Sequence, residues 1–257
     1  MQLLFIHQNM PGQFRHLAAS LAAEKLHQVA FVTRRSDRAL PNVTRAIYEA
    51  PPLSGPQTHP YLRQFEDAVL HGQAAARACL ALKQQGFAPD IVIAHPGWGE
   101  SLFVRDVFPE AAILNYGEFY YQPAGADVNF DPARPADIDQ LCALRARNAH
   151  LLLALEAADR TLCPTHWQKS VHPAAFHSRM SVVFDGIDTE TVKPDPAARF
   201  MLPSGRALTQ RDEVVTYVSR GLESTRGFPT LMRALPRLRD LVAQVAGKPA
   251  DPARLSQ

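Results

Sequence analysis

Short apolar runs alternate with amphipathic stretches along most of this 257-residue chain. The runs are rich in β-branched side chains, as strands of a parallel sheet are when both faces are covered. Between the runs, apolar residues recur at helical spacing. This alternation predicts an α/β fold, a doubly wound parallel sheet with helices on both faces. The predicted strands are residues 3–7, 29–33, 46–50, 90–94, 111–115, 160–163 and 180–184, and the two longest helices are 61–85 and 135–158.

Composition limits the classes of partner. Hydrophobic residues make up 46% and charged residues 20% of the chain, as in ordinary globular proteins. A net charge of +2 without a run of basic residues predicts no nucleic-acid partner. The apolar run 151–155 is far shorter than the roughly 20 residues of a membrane span, and residues 1–6 lack the features of a signal peptide. We expect a cytoplasmic protein without a transmembrane segment, for which peripheral membrane contact stays open.

The cysteines and histidines do not form a metal-binding pattern. Cys79, Cys142 and Cys163 are widely spaced, and an odd number of cysteines without a Cys-x-x-Cys pair is typical of free thiols in a reducing compartment. His172 and His177 are five residues apart around a proline, which is poor geometry for a shared ion. We predict no metal and no cofactor.

Two arginines flank a predicted strand-to-helix turn near the end of the chain. Residues 214–218 form a β-branched run, Arg220 follows it, and Arg226 precedes an amphipathic stretch. Guanidinium groups beside a helix N-terminus bind phosphate oxygens well, because both supply N–H donors and positive charge. The pattern predicts a diphosphate site, although two solvated arginines beside a loop are an equally good interpretation of the pair alone.

Four further segments occur in the order found in a bacterial subgroup of family 4 glycosyltransferases. They are residues 7–14 (HQNMPGQF), 95–101 (HPGWGES), 164–168 (PTHWQ) and 185–188 (DGID). Together with the arginine turn, they make the chain resemble that family over nearly all of residues 1–240. The resemblance implies a GT-B fold, in which two Rossmann-like domains face each other.

The resemblance also implies an activity. Members of the family transfer a sugar from a nucleotide-diphosphate donor to a glycan or lipid-linked acceptor, with retention of configuration and without a metal, often in polysaccharide biosynthesis. Arg220 and Arg226, together with Gly12 in the first strand-to-helix loop, are then the expected ligands of the donor diphosphate. The nucleotide sugar is a substrate, so no cofactor is implied.

The segment 95–101 follows a predicted strand, where open α/β sheets bind ligands. Gly97 permits close approach of the backbone, Trp98 has a flat face suited to a sugar ring, and Glu100 can accept hydrogen bonds from hydroxyl groups. We therefore predict that His95, Gly97, Trp98 and Glu100 line the acceptor cleft. A tight turn with a buried tryptophan is the structural alternative.

The next strand leads into Asn115-Tyr-Gly-Glu-Phe-Tyr-Tyr121, in which aromatic rings surround a carboxyl group. Such a surface suits a polar, ring-shaped ligand. In the resembled family this loop borders the acceptor side of the cleft, so we predict that Tyr120 contacts the acceptor and that Glu118 is a catalytic residue. A purely structural hydrogen bond at Glu118 is the alternative.

Two other motifs have mainly structural interpretations. Thr165 is predicted to cap a short helix that Trp167 anchors. In the 185–188 turn, Gly186 is expected to have positive φ and Asp185 to bond to the local backbone.

The expected domains are 1–193, the acceptor-side domain; 194–211, a linker; and 212–257, a truncated start of the nucleotide-sugar domain. Residues 246–257 have no apolar periodicity, and we expect them to be disordered or non-native. The chain alone is then expected to lack turnover.

Two alternatives to a transferase remain open. The first is a nucleotide-sugar 2-epimerase of the same fold, and the second is a non-catalytic acceptor-binding fragment. An aromatic acceptor surface argues mildly against the epimerase, because that reaction has no acceptor.

Overall fold

A computed structural model describes residues 1–131 and 134–245, with the backbone alone for 242–245. The chain divides into two compact units, residues 1–186 and residues 187–257. The predicted boundaries after 193 and 211 stay predictions, and the expectation for 246–257 concerns residues outside the described ranges.

The first unit is built on a seven-stranded sheet in which every pair of neighbouring strands is parallel. The strand order is β3-β2-β1-β4-β5-β6-β7. The strands are β1 (Gln2–Ile6), β2 (Gln28–Thr33), β3 (Val43–Ile47), β4 (Ile91–Ala94), β5 (Ala112–Tyr116), β6 (Arg160–Cys163) and β7 (Met180–Val182). The predicted doubly wound α/β sheet is confirmed.

The helices of this unit connect successive strands. They are α1 (Arg15–Ala23), α2 (Arg63–Gln84), α3 (Val104–Val107), α4 (Ile138–Ala157) and α5 (His166–Val171). Helix α4 begins with a reciprocal cap: the Asp137 side chain accepts from the backbone N–H of Gln140, and the Gln140 side chain accepts from that of Asp137. The two longest predicted helices are confirmed to within three residues at each end.

Both faces of the sheet are covered by apolar side chains. Leu4 and Ile6 of β1 point into a core shared with α2, whereas Leu3 and Phe5 point into the core beneath α1. Successive side chains of a strand point to opposite faces, which explains this division. Phe5 is 0% exposed, and burial of one phenylalanine stabilises a fold by about 1.5–3 kcal/mol.

Strand β3 begins and ends three residues before its predicted position of 46–50. It lies at the edge of the sheet and is only partly buried, so its apolar pattern is weak. Its register is set by pairing, with Val43 opposite Val29, and pairing is not visible in a single apolar run.

The second unit contains an antiparallel pair, β8 (Phe200–Met201) and β9 (Ala207–Leu208), and a helix, α6 (Phe228–Val245). The pair lies within residues 194–211, which were predicted to be a linker. The predicted strand at 214–218 is wrong: these residues have no regular secondary structure. Val214 and Val218 are 50% and 88% exposed, and no strand of the described residues pairs with this run. A β-branched run forms a strand only when a neighbouring strand supplies its hydrogen-bond partners.

Within the described residues, no helix combines the length and the apolar character that crossing a lipid bilayer requires.

Candidate functional site

The strand order changes direction between β1 and β4 in the centre of the sheet. The chain runs outward from β1 to β3 on one side and from β4 to β7 on the other. Ligands of open α/β sheets bind at the carboxyl ends of the strands at such a switch point. The first residues after the two strands here are His7 and His95, and both side chains are buried.

A chain of hydrogen bonds joins these histidines through the β5 loop. Nε2 of His7 bonds to Oε1 of Gln13 at 2.7 Å, and Nε2 of Gln13 donates to Oε2 of Glu118 at 2.7 Å. Nε2 of His95 lies 2.9 Å from the same Oε2 atom. We call His7, Gln13, His95 and Glu118 the switch-point cluster.

Backbone donors fix the tautomer of each ring. The N–H of Asn9 donates to Nδ1 of His7 at 2.8 Å, and the N–H of Gly97 donates to Nδ1 of His95 at 3.1 Å. A backbone amide can only donate, so Nδ1 must be unprotonated in both rings. Each ring therefore holds its proton on Nε2, where His7 donates to Gln13 and His95 donates to Glu118.

His7 is held in the neutral form. Its pKa is lowered from 6.5 to about 4, mainly by burial and secondarily by the nearby His95, while the hydrogen bond to Gln13 and the charge of Glu118 oppose the fall. Protonation would also place a second proton on Nδ1, where the Asn9 N–H already points.

Glycines allow the backbone to approach both imidazole rings. A Cβ on Gly12 would lie 2.5 Å from Nε2 of His7, and the φ of Gly12 is +55°. A Cβ on Gly97 would lie 2.6 Å from Cε1 of His95. Either contact is far inside van der Waals distance, so both positions require glycine as long as the rings keep their places.

Trp98 extends the cluster with an aromatic surface. Its ring stacks on that of His95 with centroids 4.8 Å apart at 28°, and it meets the ring of His7 at 5.3 Å. The side chain is half-buried. The structure thus brings the predicted residues His95, Gly97, Trp98 and Glu118 together.

One oxygen of Glu118 is left for a ligand. Oε2 accepts from both Gln13 and His95, whereas Oε1 has no donor within the described residues. The side chain is 25% exposed, and the backbone oxygen of Glu118 accepts a long bond from Gln168 at 3.4 Å. Oε1 can therefore accept a hydrogen bond from a ligand.

Glu100 lies outside the cluster, in the interior of the protein. Its side chain is 0% exposed, and its Oε1 accepts from the hydroxyl of Tyr48 at 2.7 Å. Its Oε2 is buried without a partner in the part of the chain that the structure describes. Because the side chain is buried, this carboxyl group is not a surface acceptor for hydroxyl groups in the observed conformation. Burial also raises the pKa of Glu100 to about 7.

Tyr120 packs away from the cluster, towards β6. Its ring lies 5.7 Å from that of His172, and it contacts the small core formed by Leu155, Cys163 and Met180. Burial raises the pKa of its hydroxyl. The structure places Tyr120 on the Glu118 loop but not beside the Glu118 carboxyl group.

The predictions for the helix capped by Thr165 and for the turn at residues 185–188 are confirmed in part. Thr165 caps α5 by accepting from the N–H of Gln168, and Gly186 has a φ of +78°, so both predictions are confirmed. Trp167 is 57% exposed and does not anchor the helix, so that prediction is wrong. Asp185 accepts from the buried Tyr116 hydroxyl at 2.6 Å instead of from local backbone.

Arg220 and Arg226 lie in the second unit, and both are exposed. Arg226 ends a 3-10 turn just before α6, and its guanidinium lies 3.7 Å from the carboxyl group of Glu223. Its carbonyl accepts from the hydroxyl of Tyr217 at 3.0 Å, which holds the turn. Gly12, the third predicted diphosphate ligand, lies in the first unit against His7.

Gln13 and His7 were not among the predicted site residues. A polar residue directly after each of two buried strands is the signal that would have identified His7, whereas nothing in the sequence singles out Gln13. Among the described residues, no group of three or more His, Cys, Asp or Glu side chains could hold a metal ion.

Comparison with protein families assigns the chain. A family model described as glycosyl transferase family 4 group matches residues 25–192, well over half of the sequence. The chain belongs to this family, which confirms the resemblance found in the sequence motifs. No curated protein matches the chain.

Several solved structures are similar to part of the chain. UDP-GlcNAc 2-epimerase from Methanocaldococcus jannaschii is 14% identical with a TM-score of 0.36, over 71% of this chain and 45% of that one. The catalytic domain of starch synthase IV from Arabidopsis thaliana, bound to ADP and acarbose, is 17% identical with a TM-score of 0.43, over 77% and 53%. Os79 from O. sativa, in complex with UDP and deoxynivalenol-3-glucoside, is 11% identical with a TM-score of 0.47, over 74% and 53%. The chain spans about half the length of these structures.

Proposed function

We propose that the chain acts in retaining, metal-independent transfer of a sugar from a nucleotide-diphosphate donor to a glycan or lipid-linked acceptor. The family membership supports sugar transfer as the class of reaction. The observation that carries the acceptor assignment is the switch-point cluster, in which one oxygen of Glu118 has no donor among the described residues.

In this proposal the first unit binds the acceptor. A hydroxyl group of the acceptor donates to Oε1 of Glu118, while Trp98 covers an apolar face of the sugar. The bonds from Gln13 and His95 hold the carboxyl group in place before the acceptor arrives, so little ordering is needed on binding.

The second unit supplies the cations for the donor diphosphate. As the bond to the sugar breaks, negative charge grows on the leaving diphosphate and positive charge grows on the sugar. Arg220 and Arg226 stabilise the former electrostatically, and each is expected to contribute about 2–4 kcal/mol to the transition state. In a form of the protein that transfers sugar, substitution of either arginine with alanine should therefore lower kcat more than it weakens donor binding.

The test is an analysis of products. The protein is incubated with UDP-, GDP- and ADP-linked sugars and a panel of oligosaccharide and lipid-linked acceptors, and the products are separated by mass. Any product that joins sugar and acceptor should keep the anomeric configuration of the donor, and its formation would contradict the expectation that the chain alone lacks turnover. Free epimerised sugar that forms without an acceptor would identify an epimerase and contradict the proposal, as would a joined product of inverted configuration. The absence of both products would favour the non-catalytic acceptor-binding fragment.

A further inference from the structure

A groove of about 410 Å³ lies between residues 120–123 and α4. Tyr120 and Tyr121 form its loop side, and Leu141 and Leu144 are among its residues on the helix. Its volume is in the range of small-molecule sites, which combine apolar walls with a few polar groups. The groove begins two residues after Glu118, so one loop carries both features.

The loop side of the groove is held rigidly. The side chain of Asn148 bonds to both backbone groups of Tyr121, donating to its oxygen at 2.7 Å and accepting from its nitrogen at 3.0 Å. The guanidinium of Arg147 lies 3.6 Å from the centre of the Tyr121 ring and donates to its hydroxyl. A wall fixed in this way loses little entropy when a ligand binds.

Arg145 places an unpaired cation at the same groove. It is exposed, and within the described residues it makes no hydrogen bond or ion pair. Burial raises the pKa of Tyr120 and the charge of Arg145 opposes that rise, so the guanidinium is close to the aromatic wall. The carboxyl group of Asp139, on the same helix, accepts from the hydroxyl of Tyr61 and is already engaged.

In another cavity of the first unit, the arginine side chains are paired. The cavity has a volume of about 540 Å³ and is lined by Arg105 and Arg179. Arg105 donates to backbone carbonyl groups and to Asp159, and Arg179 donates to two backbone carbonyl groups. Those cations hold the fold together, whereas Arg145 has no such role.

We propose that the groove binds one amphiphilic molecule that carries an anionic group, such as a phosphate, on an apolar chain. The apolar chain lies between the tyrosines and the leucines of α4, and the anion pairs with Arg145. This inference rests on the proposed function and deepens it, because it names anionic amphiphiles as the acceptor class.

Cys142 makes the proposal testable without any transfer reaction. Cys142 lines the groove and is partly exposed, whereas Cys79 and Cys163 are 0% exposed. Burial raises the pKa of those two thiols to about 12 and about 11, so N-ethylmaleimide should modify Cys142 first. The rate of alkylation, followed by intact mass, then reports occupancy of the groove.

The probes are octyl phosphate, octyl glucoside and inorganic phosphate, with the amphiphiles below their micelle concentrations. We expect saturating octyl phosphate to slow alkylation about fivefold or more, at a concentration about tenfold below that needed for octyl glucoside. Inorganic phosphate should give little protection, because it lacks the apolar part. Arg145→Gln should abolish the preference for octyl phosphate, and Arg77→Gln, a change at an exposed arginine of α2, should leave it intact.

Equal protection by the two amphiphiles, no protection, or an unchanged preference in Arg145→Gln would overturn the proposal. Circular dichroism of each variant checks that the fold is retained. Because no nucleotide sugar is present, this outcome is independent of the product analysis. Protection of Cys142 together with formation of free epimerised sugar would contradict the proposed function and leave ligand binding in the groove standing.

Discussion

Nε2 of His95 donates to Oε2 of Glu118 across 2.9 Å, and this bond connects the loops that follow two neighbouring parallel strands, β4 and β5. The imidazole is 1% exposed and the carboxyl group 25% exposed, so a buried donor holds a group that solvent can reach. A charge-assisted bond of this kind fixes the direction of the carboxyl group and of the oxygen that it leaves for a ligand.

The close contact between Gly97 and the ring of His95 predicts that a larger residue at position 97 lowers stability. Gly97→Ala should lower the free energy of unfolding by about 1–3 kcal/mol, because the new methyl group meets Cε1 of His95 at 2.6 Å in a packed site. Gly55→Ala is the matched control, since no atom of the described residues lies within 4 Å of a Cβ there, and it should change stability by less than about 0.5 kcal/mol. Urea unfolding measures both, and equal values for the two variants would show that the ring of His95 moves freely.

The low pKa of His7 predicts that acid weakens the fold. The unfolded chain binds a proton near pH 6.5 and the folded chain only near pH 4. The stability contributed by His7 is therefore complete above pH 6.5 and is lost as the pH falls towards about 4, a change of about 3 kcal/mol. His7→Gln should lack this loss, so the difference in unfolding free energy between the two proteins should shift in favour of the variant as the pH falls. A constant difference from pH 7 to pH 4.5 would contradict the assignment.

The raised pKa of Glu100 predicts the opposite dependence of stability on pH. Its pKa rises from 4.5 to about 7 on folding, so the folded chain holds a proton that the unfolded chain has released. The stability contributed by Glu100 is complete below pH 4.5 and is lost as the pH rises through about 7, again by about 3 kcal/mol. Glu100→Gln keeps a neutral side chain of the same shape, and its advantage over the native protein should grow from pH 4.5 to pH 7. An advantage that shrinks over this range would mean that Glu100 is ionised in the fold.

The sheet was predictable from the sequence because its central strands are buried on both faces. β1, β2 and β4 read as unbroken apolar runs, and their predicted positions agree with the structure to within one residue at each end. Residues 214–218 are also a β-branched run, but they do not form a strand. A β-branched run becomes a strand only if another strand pairs with it, and that partner is not a property of the run.

The candidate site was predictable only in part. Strand ends indicated the loops of His95 and Glu118, because carboxyl ends of parallel strands meet at one edge. Side-chain direction within a loop has no fixed period, so the inward turn of Glu100 and the reach of Gln13 from the β1 loop to Glu118 required coordinates. Asp185 likewise meets Tyr116 over a separation of 69 residues, which no local pattern records.

Acceptor binding to the first unit tests the proposed role of Glu118 most directly. The chain has two tryptophans, and Trp167 is exposed, so Trp167→Phe leaves Trp98 as the fluorescent reporter of the switch-point cluster. Titration with the acceptor panel should give a saturable change in fluorescence. Glu118→Gln should raise the Kd about tenfold, because the acceptor hydroxyl loses the oxygen that accepts its hydrogen bond. Glu110→Gln, at an exposed carboxyl group before β5, should bind as the native protein does. A Kd that is the same in Glu118→Gln and Glu110→Gln would contradict the assignment of Glu118 to the acceptor.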